Sequence, residues 1–195
     1  TGCGDDDEDV DKRTGLVRVS WTSSECSEGE TLRMVAIVYD GSSGYITYGG
    51  AWSCSAEQGV VSNVTPGSNR TVVLFAEDNS GAFKLRGEKR GIVVQENIEA
   101  QTAEIPLNNF VPVLDEIENG ASVAGDFDLT WEYVALADAY QVTMAANAEF
   151  NPPVISKMVS SPVYTPTGLT TGVRYYWKVQ SVDSFGNASG DSEIR

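Results

Sequence analysis

The chain has 195 residues, with 28 acidic against 13 basic side chains for a net charge of −15, and it contains no histidine. Without histidine there is no Ser-His-Asp or Cys-His nucleophile system, no CxxCH haem attachment and no usual zinc site; without a basic face, nucleic acid and anionic headgroups are not expected as partners. The hydrophobic content of 41% is ordinary for a folded protein, and no apolar run approaches the ~20 residues of a membrane helix.

The charge is uneven along the chain. Residues 1–14 carry 6 acids and 2 bases, residues 15–110 carry 11 and 7, and residues 111–195 carry 11 and 4. The opening TGCGDDDEDVDKRT therefore reads as a short acidic tail. Asp5, Asp7 and Asp9 alternate as in a calcium loop, but position six would be Val10 and position twelve Leu16, where an EF-hand needs glycine and glutamate. A solvated spacer is the better reading, spanning at most ~40 Å.

After the tail almost every segment reads as strand. Leu16–Trp21 alternates, with Val17, Val19 and Trp21 on one side and Arg18 and Ser20 on the other, the period of a half-buried strand. Leu32–Tyr39 is apolar enough to be central. Arg70–Asp78, Ala82–Gly87, Gly91–Gln95 and Thr102–Leu107 follow at short intervals, separated by turn sequences such as Asp40-Gly41, Pro66-Gly67 and Asn79-Ser80-Gly81. Asn108–Pro112 ends this series. A second one runs through Phe127–Glu132, Ala139–Ala145, Val163–Pro166 and Tyr175–Val182. Strands at this spacing, with no helical period, predict an all-β protein of sandwiches or barrels, in two units over 15–110 and 111–195 after the 1–14 tail.

Three cysteines, Cys3, Cys26 and Cys54, lack CxxC spacing. One disulfide and one odd cysteine fit them best, which implies an oxidising compartment.

The second half resembles a fibronectin type III domain. Trp131 in LTWE, Tyr140 and Val142 in AYQVTM, and the run LTTGVRYYW from Leu169 to Trp177 carry the resemblance. Leu169, Gly172 and Tyr175 have the spacing of a tyrosine corner, in which the hydroxyl of Tyr175 ties back to the chain entering its strand. Trp177 and Val179 then enter the core, and Asp183-Ser184-Phe185-Gly186-Asn187 supplies a turn before a last strand. The first half is similar to the transthyretin-like (prealbumin-like) sandwiches of bacterial surface lipoproteins, through residues 71–107 and the pieces Ser20-Trp21 and Trp52-Ser53-Cys54. That resemblance implies a Cys26–Cys54 bridge, and the two resemblances together imply two tandem antiparallel β-sandwiches. Thr1-Gly2-Cys3-Gly4 also resembles the end of a bacterial lipoprotein signal, although processing would remove Thr1 and Gly2. Cys3 is thus read as a lipid anchor or as a link to a neighbouring subunit, and any export signal is expected to lie upstream of the chain.

Few residues suggest chemistry. Glu77-Asp78 and the pair Asp126 and Asp128 lie where solvated carboxylates normally do, so no catalytic residue, cofactor or metal is expected. Tyr45, Tyr48 and Trp52 cluster in GYITYGGAW, and Tyr176 lies opposite the inward Tyr175 and Trp177. These four are candidates for stacking on a ligand such as a glycan, or for packing against a subunit. Lys84–Arg90 forms a basic cluster expected on a hairpin tip. Sequons at Asn63, Asn69 and Asn187 occur at about chance frequency. The sequence thus predicts a non-enzymatic exported protein of the bacterial outer membrane, cell surface or extracellular space. Its role would be adhesion, protein interaction or scaffolding, with a protein partner or self-association. A filament subunit and a carbohydrate-binding module are the alternatives, and membrane contact would come only through a lipid on Cys3.

Overall fold

The computed structural model describes residues 13–22, 24, 26, 31–41, 44–115 and 117–195; Cys3 and the acidic run lie outside them. The described residues form two β-sandwiches. In the first, β1 (Gly15–Ser20), β2 (Arg33–Asp40), β3 (Gly44–Ser53), β4 (Gln58–Val64), β5 (Gly67–Glu77), β6 (Phe83–Val94), β7 (Glu99–Gln101) and β8 (Asn108–Asn109) divide into two sheets. One has the order β4-β1-β7, and the other the order β3-β2-β5-β6-β8. All pairings are antiparallel except β1 with β7. The period-two pattern of β1 places Val17 and Val19 fully inside, against Met34, Ala36 and Val38 of β2 and Val72 and Leu74 of β5.

The second sandwich is built from β9 (Leu129–Thr130), β10 (Ala139–Ala145), β11 (Ile155–Val159), β12 (Val163–Tyr164) and β13 (Tyr176–Val182). A small sheet pairs β12 with β9, and Leu114 bridges to Trp131 beside it. The facing sheet has the order β11-β10-β13. Residues 188–195 run along β13 through bonds such as Ser189 N–H to Ser181 O (2.8 Å) and Ser192 N–H to Val179 O (2.9 Å). The tyrosine corner forms: the Tyr175 hydroxyl accepts the Thr170 N–H at 3.0 Å. Inside, Trp131 and Tyr140 meet edge to face at 5.3 Å, and the Tyr140 hydroxyl accepts the Val134 N–H at 3.0 Å. The tail end of this sandwich is held by Arg195, whose guanidinium donates to the carbonyls of Leu114, Asp115 and Ile117.

Several elements differ from the sequence expectation. Ala82–Gly87 and Gly91–Gln95 are not two strands but one, β6, because Gly91 (φ +72°) absorbs a bulge rather than making a turn. The basic cluster Lys84–Arg90 therefore lies in the middle of a sheet and not on a hairpin tip. Thr102–Leu107 is not a regular strand: Glu99–Gln101 pairs instead with β1, and Ile105 makes a lone bridge to Trp21. β3, β4 and β11 had no clear period in the sequence. β3 in particular carries two register shifts and the glycines Gly49 and Gly50, which break its alternation.

Candidate interaction site at the domain junction

β5 shows how the two sandwiches meet. Residues Arg70–Ala76 are buried at every position, on both faces, as expected for a strand covered on each side. Val72, Leu74 and Ala76 join the first core, whereas Val73 and Phe75 belong to the second, together with Tyr39, Phe110, Trp131 and Tyr140. The outer face of the five-stranded sheet is thus a wall of the second core.

Arg86 of β6 sits in the centre of that contact and is 1% exposed. Its Nε donates to Asp183 Oδ2 at 2.9 Å, and its Nη2 to Glu88 Oε2 at 2.7 Å. The guanidinium carbon lies 5.8 Å from the Phe75 ring centre and 5.9 Å from that of Phe110, within range of cation–π attraction. Nη1 is buried without a hydrogen-bond partner among the described residues. Glu88 also pairs with Arg90 at the surface.

Asp183 receives this charge from a loop that the turn sequence prepares. Its Oδ1 accepts the N–H groups of Phe185 (3.0 Å) and Asn187 (2.8 Å), and Gly186 takes the left-handed conformation (φ +86°) that the turn requires. The same loop reaches back to the first sandwich. Phe185 stacks on Tyr39 at 4.0 Å, and Asn187 Nδ2 donates to the Tyr39 hydroxyl at 3.0 Å. Burial pushes the Tyr39 phenol above its ordinary value of 10.0, with the Asn187 bond opposing. Gly190 N–H donates to Phe83 O at 2.9 Å, so backbone also ties the sandwiches together.

The aromatic candidates separate across β3. Tyr45 is opposite Tyr39 and Tyr48 opposite Ile37, on the outer face that continues from the junction. They are 61% and 67% exposed, and Tyr45 meets Tyr39 edge-on at 6.4 Å. Trp52 is opposite Met34 and faces the first core, 6.2 Å from Trp21. It lies over Gly59, where any side chain would collide with the indole. Tyr176 is half-buried on β13 beside Ala145, in the other sandwich. The structure thus brings Tyr45 and Tyr48 together and places Trp52 and Tyr176 elsewhere.

Cys26 and Cys54 form a disulfide with a Cα separation of 5.9 Å. Cys54 is buried, and its carbonyl accepts the Trp21 indole N–H at 2.8 Å, so the bridge closes on the first core. A cavity of about 680 Å³ opens at the far end of the second sandwich, between residues 117–127 and the tyrosine corner. Leu129, Met144 and Trp177 border it from the core side. No group of three or more potential metal ligands occurs among the described residues, and no described helix is long and apolar enough to cross a membrane.

The sequence does not single out Arg86 and Asp183 as partners. Lys84–Arg90 reads as a surface cluster, and only the place of Arg86 within a long strand, opposite Phe75, turns it inward. The Asp183–Asn187 turn was legible, but its contact 97 residues away with Arg86 was not.

No protein-family model matches the chain. A Kelch domain-containing protein of Saccharolobus solfataricus is 33% identical over 86 residues, which are 44% of this chain and 12% of that protein. The chain thus spans a small part of the length of that relative. Among solved structures, an Fn3-like protein from Clostridium thermocellum shares 27% identity over 44% of this chain and 82% of its own, with a TM-score of 0.32. The FN1-FN3 domains of chicken CNTN1 share 15% identity over 93% of this chain and 61% of theirs, with a TM-score of 0.36. A cytokine receptor complex shares 12% over 92% of this chain and 99% of its own, at 0.33. The all-β tandem architecture stands on the strand order and the tyrosine corner themselves.

Proposed function

We propose that this chain is a non-enzymatic interaction module of an exported protein, two sandwiches joined as one stiff body that presents an aromatic surface to a protein partner. The observation that carries it is the junction. A charged side chain set beside a contacting pair of phenylalanine rings and paired with a carboxylate of the other sandwich fixes the relative orientation of the two units. Tyr45 and Tyr48 stand exposed on the same face. Tyrosine favours protein contacts, because it contributes large area with little side-chain freedom to lose. The disulfide supports an oxidising location.

Within this reading the units are residues 15–110, a transthyretin-like sandwich, and 111–195, a fibronectin type III-like one. Cys3 would anchor the chain to the bacterial surface through a lipid, with the acidic segment as spacer, and the role is adhesion or scaffolding outside the cell.

The test is photo-crosslinking from position 48 on intact source cells, with an exposed position at the far edge of the opposite sheet, Gln101, as control. Protein adducts formed at 48 and not at 101 support the reading. Equal labelling at both positions, or adducts with glycan alone, overturns it.

A further inference from the structure

We infer that β3 is a self-association edge, along which two copies of the chain pair antiparallel, β3 against β3. This rests on the interaction reading above and names a second copy as the partner. Among the described residues β3 ends its sheet: β2 lies on one side of it, and no described strand is hydrogen-bonded on the other. Such a row of unpaired N–H and C=O groups is a template for another strand, and soluble proteins usually protect it with lysine, proline, short length or bulges. β3 is bulged on either side of Thr47–Gly50 but has none of the other protections. Its ten residues, GYITYGGAWS, include no charge and no proline. The neighbouring edge strand of the opposite sheet, β4, is QGVVSNV and is equally uncharged. By contrast, the edges β7 and β11 carry Glu99 and Lys157.

Charge restricts where a second copy can approach. At a net −15, two copies repel across most of their surface. The β3–β4 flank is where they approach with least opposition. It also continues an interface already made of protein. Tyr45 lies edge-on to Tyr39, and Tyr39 is covered by Phe185. Tyr45 and Tyr48 are therefore the uncovered part of an aromatic surface whose other part holds a loop of the second sandwich.

The register follows from symmetry. The bulges around Ile46 and Ala51 bracket a regular segment, Thr47–Gly50, paired with Val35–Val38. A two-fold axis perpendicular to the sheet keeps outward residues outward, so residues on the same face must oppose one another. Pairing centred on this segment sets Tyr48 against its own symmetry mate and Thr47 against Gly49, an aromatic cross-strand pair at the centre.

The experiment is sedimentation equilibrium on the full chain carrying Cys3→Ser, which removes any covalent link through that cysteine. The expected result is a weight-average mass rising from one chain toward two over about a hundredfold range of concentration. Tyr48→Glu, which opposes two carboxylates at the axis, should weaken dimerisation about tenfold or more. Tyr133→Glu, at a 73% exposed tyrosine of the second sandwich, should leave it unchanged. If Tyr48→Glu fails to fold, amide exchange of β3 in the Cys3→Ser chain decides, slowing with concentration if the edge pairs. A monomer at all concentrations, a dimer indifferent to Tyr48→Glu, or β3 exchange independent of concentration overturns the inference. A monomer that still crosslinks to protein from position 48 on cells leaves the interaction reading intact and removes only the second copy.

Discussion

Arg86 and Asp183, 97 residues apart, form an ion pair of 2.9 Å whose side chains are 1% and 0% exposed, and each comes from a different sandwich. Ion pairs withdrawn from water are not in themselves stabilising, because desolvation offsets the attraction, but breaking one leaves a bare charge inside. Here the consequence is orientational. The sandwiches cannot separate or rotate without exposing Phe75, Phe110 and Tyr39 and leaving Arg86 with Glu88 alone.

Replacing Asp183 tests this directly. Asp183→Asn keeps an oxygen acceptor for the Phe185 and Asn187 N–H groups, removes the charge, and puts an NH2 where Oδ2 accepts from Arg86 Nε and Asn187 Nδ2. The expected loss is about 3–5 kcal/mol in urea unfolding, with the single cooperative transition splitting in two. A loss under about 1 kcal/mol, the size of an exposed pair, would mean that packing alone holds the junction.

The Tyr39 phenol gives the junction a signature in alkali. Its pKa is raised, first by burial, so the neutral form is favoured in the folded state. Stability linked to it is complete below the unfolded value near 10.0 and is lost as pH rises through the higher folded value. Tyr39→Phe should be less stable than the parent at neutral pH by about 1 kcal/mol, having lost the Asn187 bond, and the gap should shrink above pH 10. Thermal unfolding of both proteins from pH 7 to 11 checks the sign; a gap that widens in alkali would contradict it.

Asp78 governs the acid side. The Ser80 hydroxyl holds its carboxyl below the usual carboxylate range, helped by the Ala82 and Ser80 N–H groups and Lys84, while partial burial opposes. A depressed value contributes stability above the unfolded pKa near 3.8 that disappears as pH falls through the folded one. Asp78→Asn should therefore be less stable than the parent at pH 6, with the difference closing below about pH 3.8. Because the site is partly exposed, the effect should be small and weaken in salt.

The disulfide closes a span of 28 residues, for which the loop-entropy relation gives about 3.5 kcal/mol. Cys26→Ser with Cys54→Ser should lower stability by that order in urea unfolding, with both sandwiches lost in one transition because Tyr39, Val73 and Phe75 wall the second core. A near-ultraviolet dichroism signal of Trp131 and Trp177 that outlasts the first sandwich would show that the junction does not transmit the damage.

Much of the architecture was readable from residues that act locally. The alternation at Val17, Val19 and Trp21 is a period-two signal that needs no tertiary context, and the Leu169, Gly172 and Tyr175 spacing closes a hydrogen bond within five residues. The Asp183–Asn187 turn is likewise built by its own side chains. β3 escaped because its bulges and glycines erase the period that would mark it, and β6 was split because Gly91 suits a bulge as well as a turn.

The sequence alone determined an all-β chain with two series of strands, a histidine-free surface of strong negative charge, and the tyrosine corner, since each depends on composition or on neighbours a few residues away. Only the tertiary structure decided which way Arg86 points, that Tyr39, Val73 and Phe75 serve the second core, and that Tyr45 and Tyr48 share a face which Trp52 leaves. Those outcomes depend on which strands lie side by side and which face another layer covers. Pairing across dozens of residues fixes that, and no local pattern encodes it.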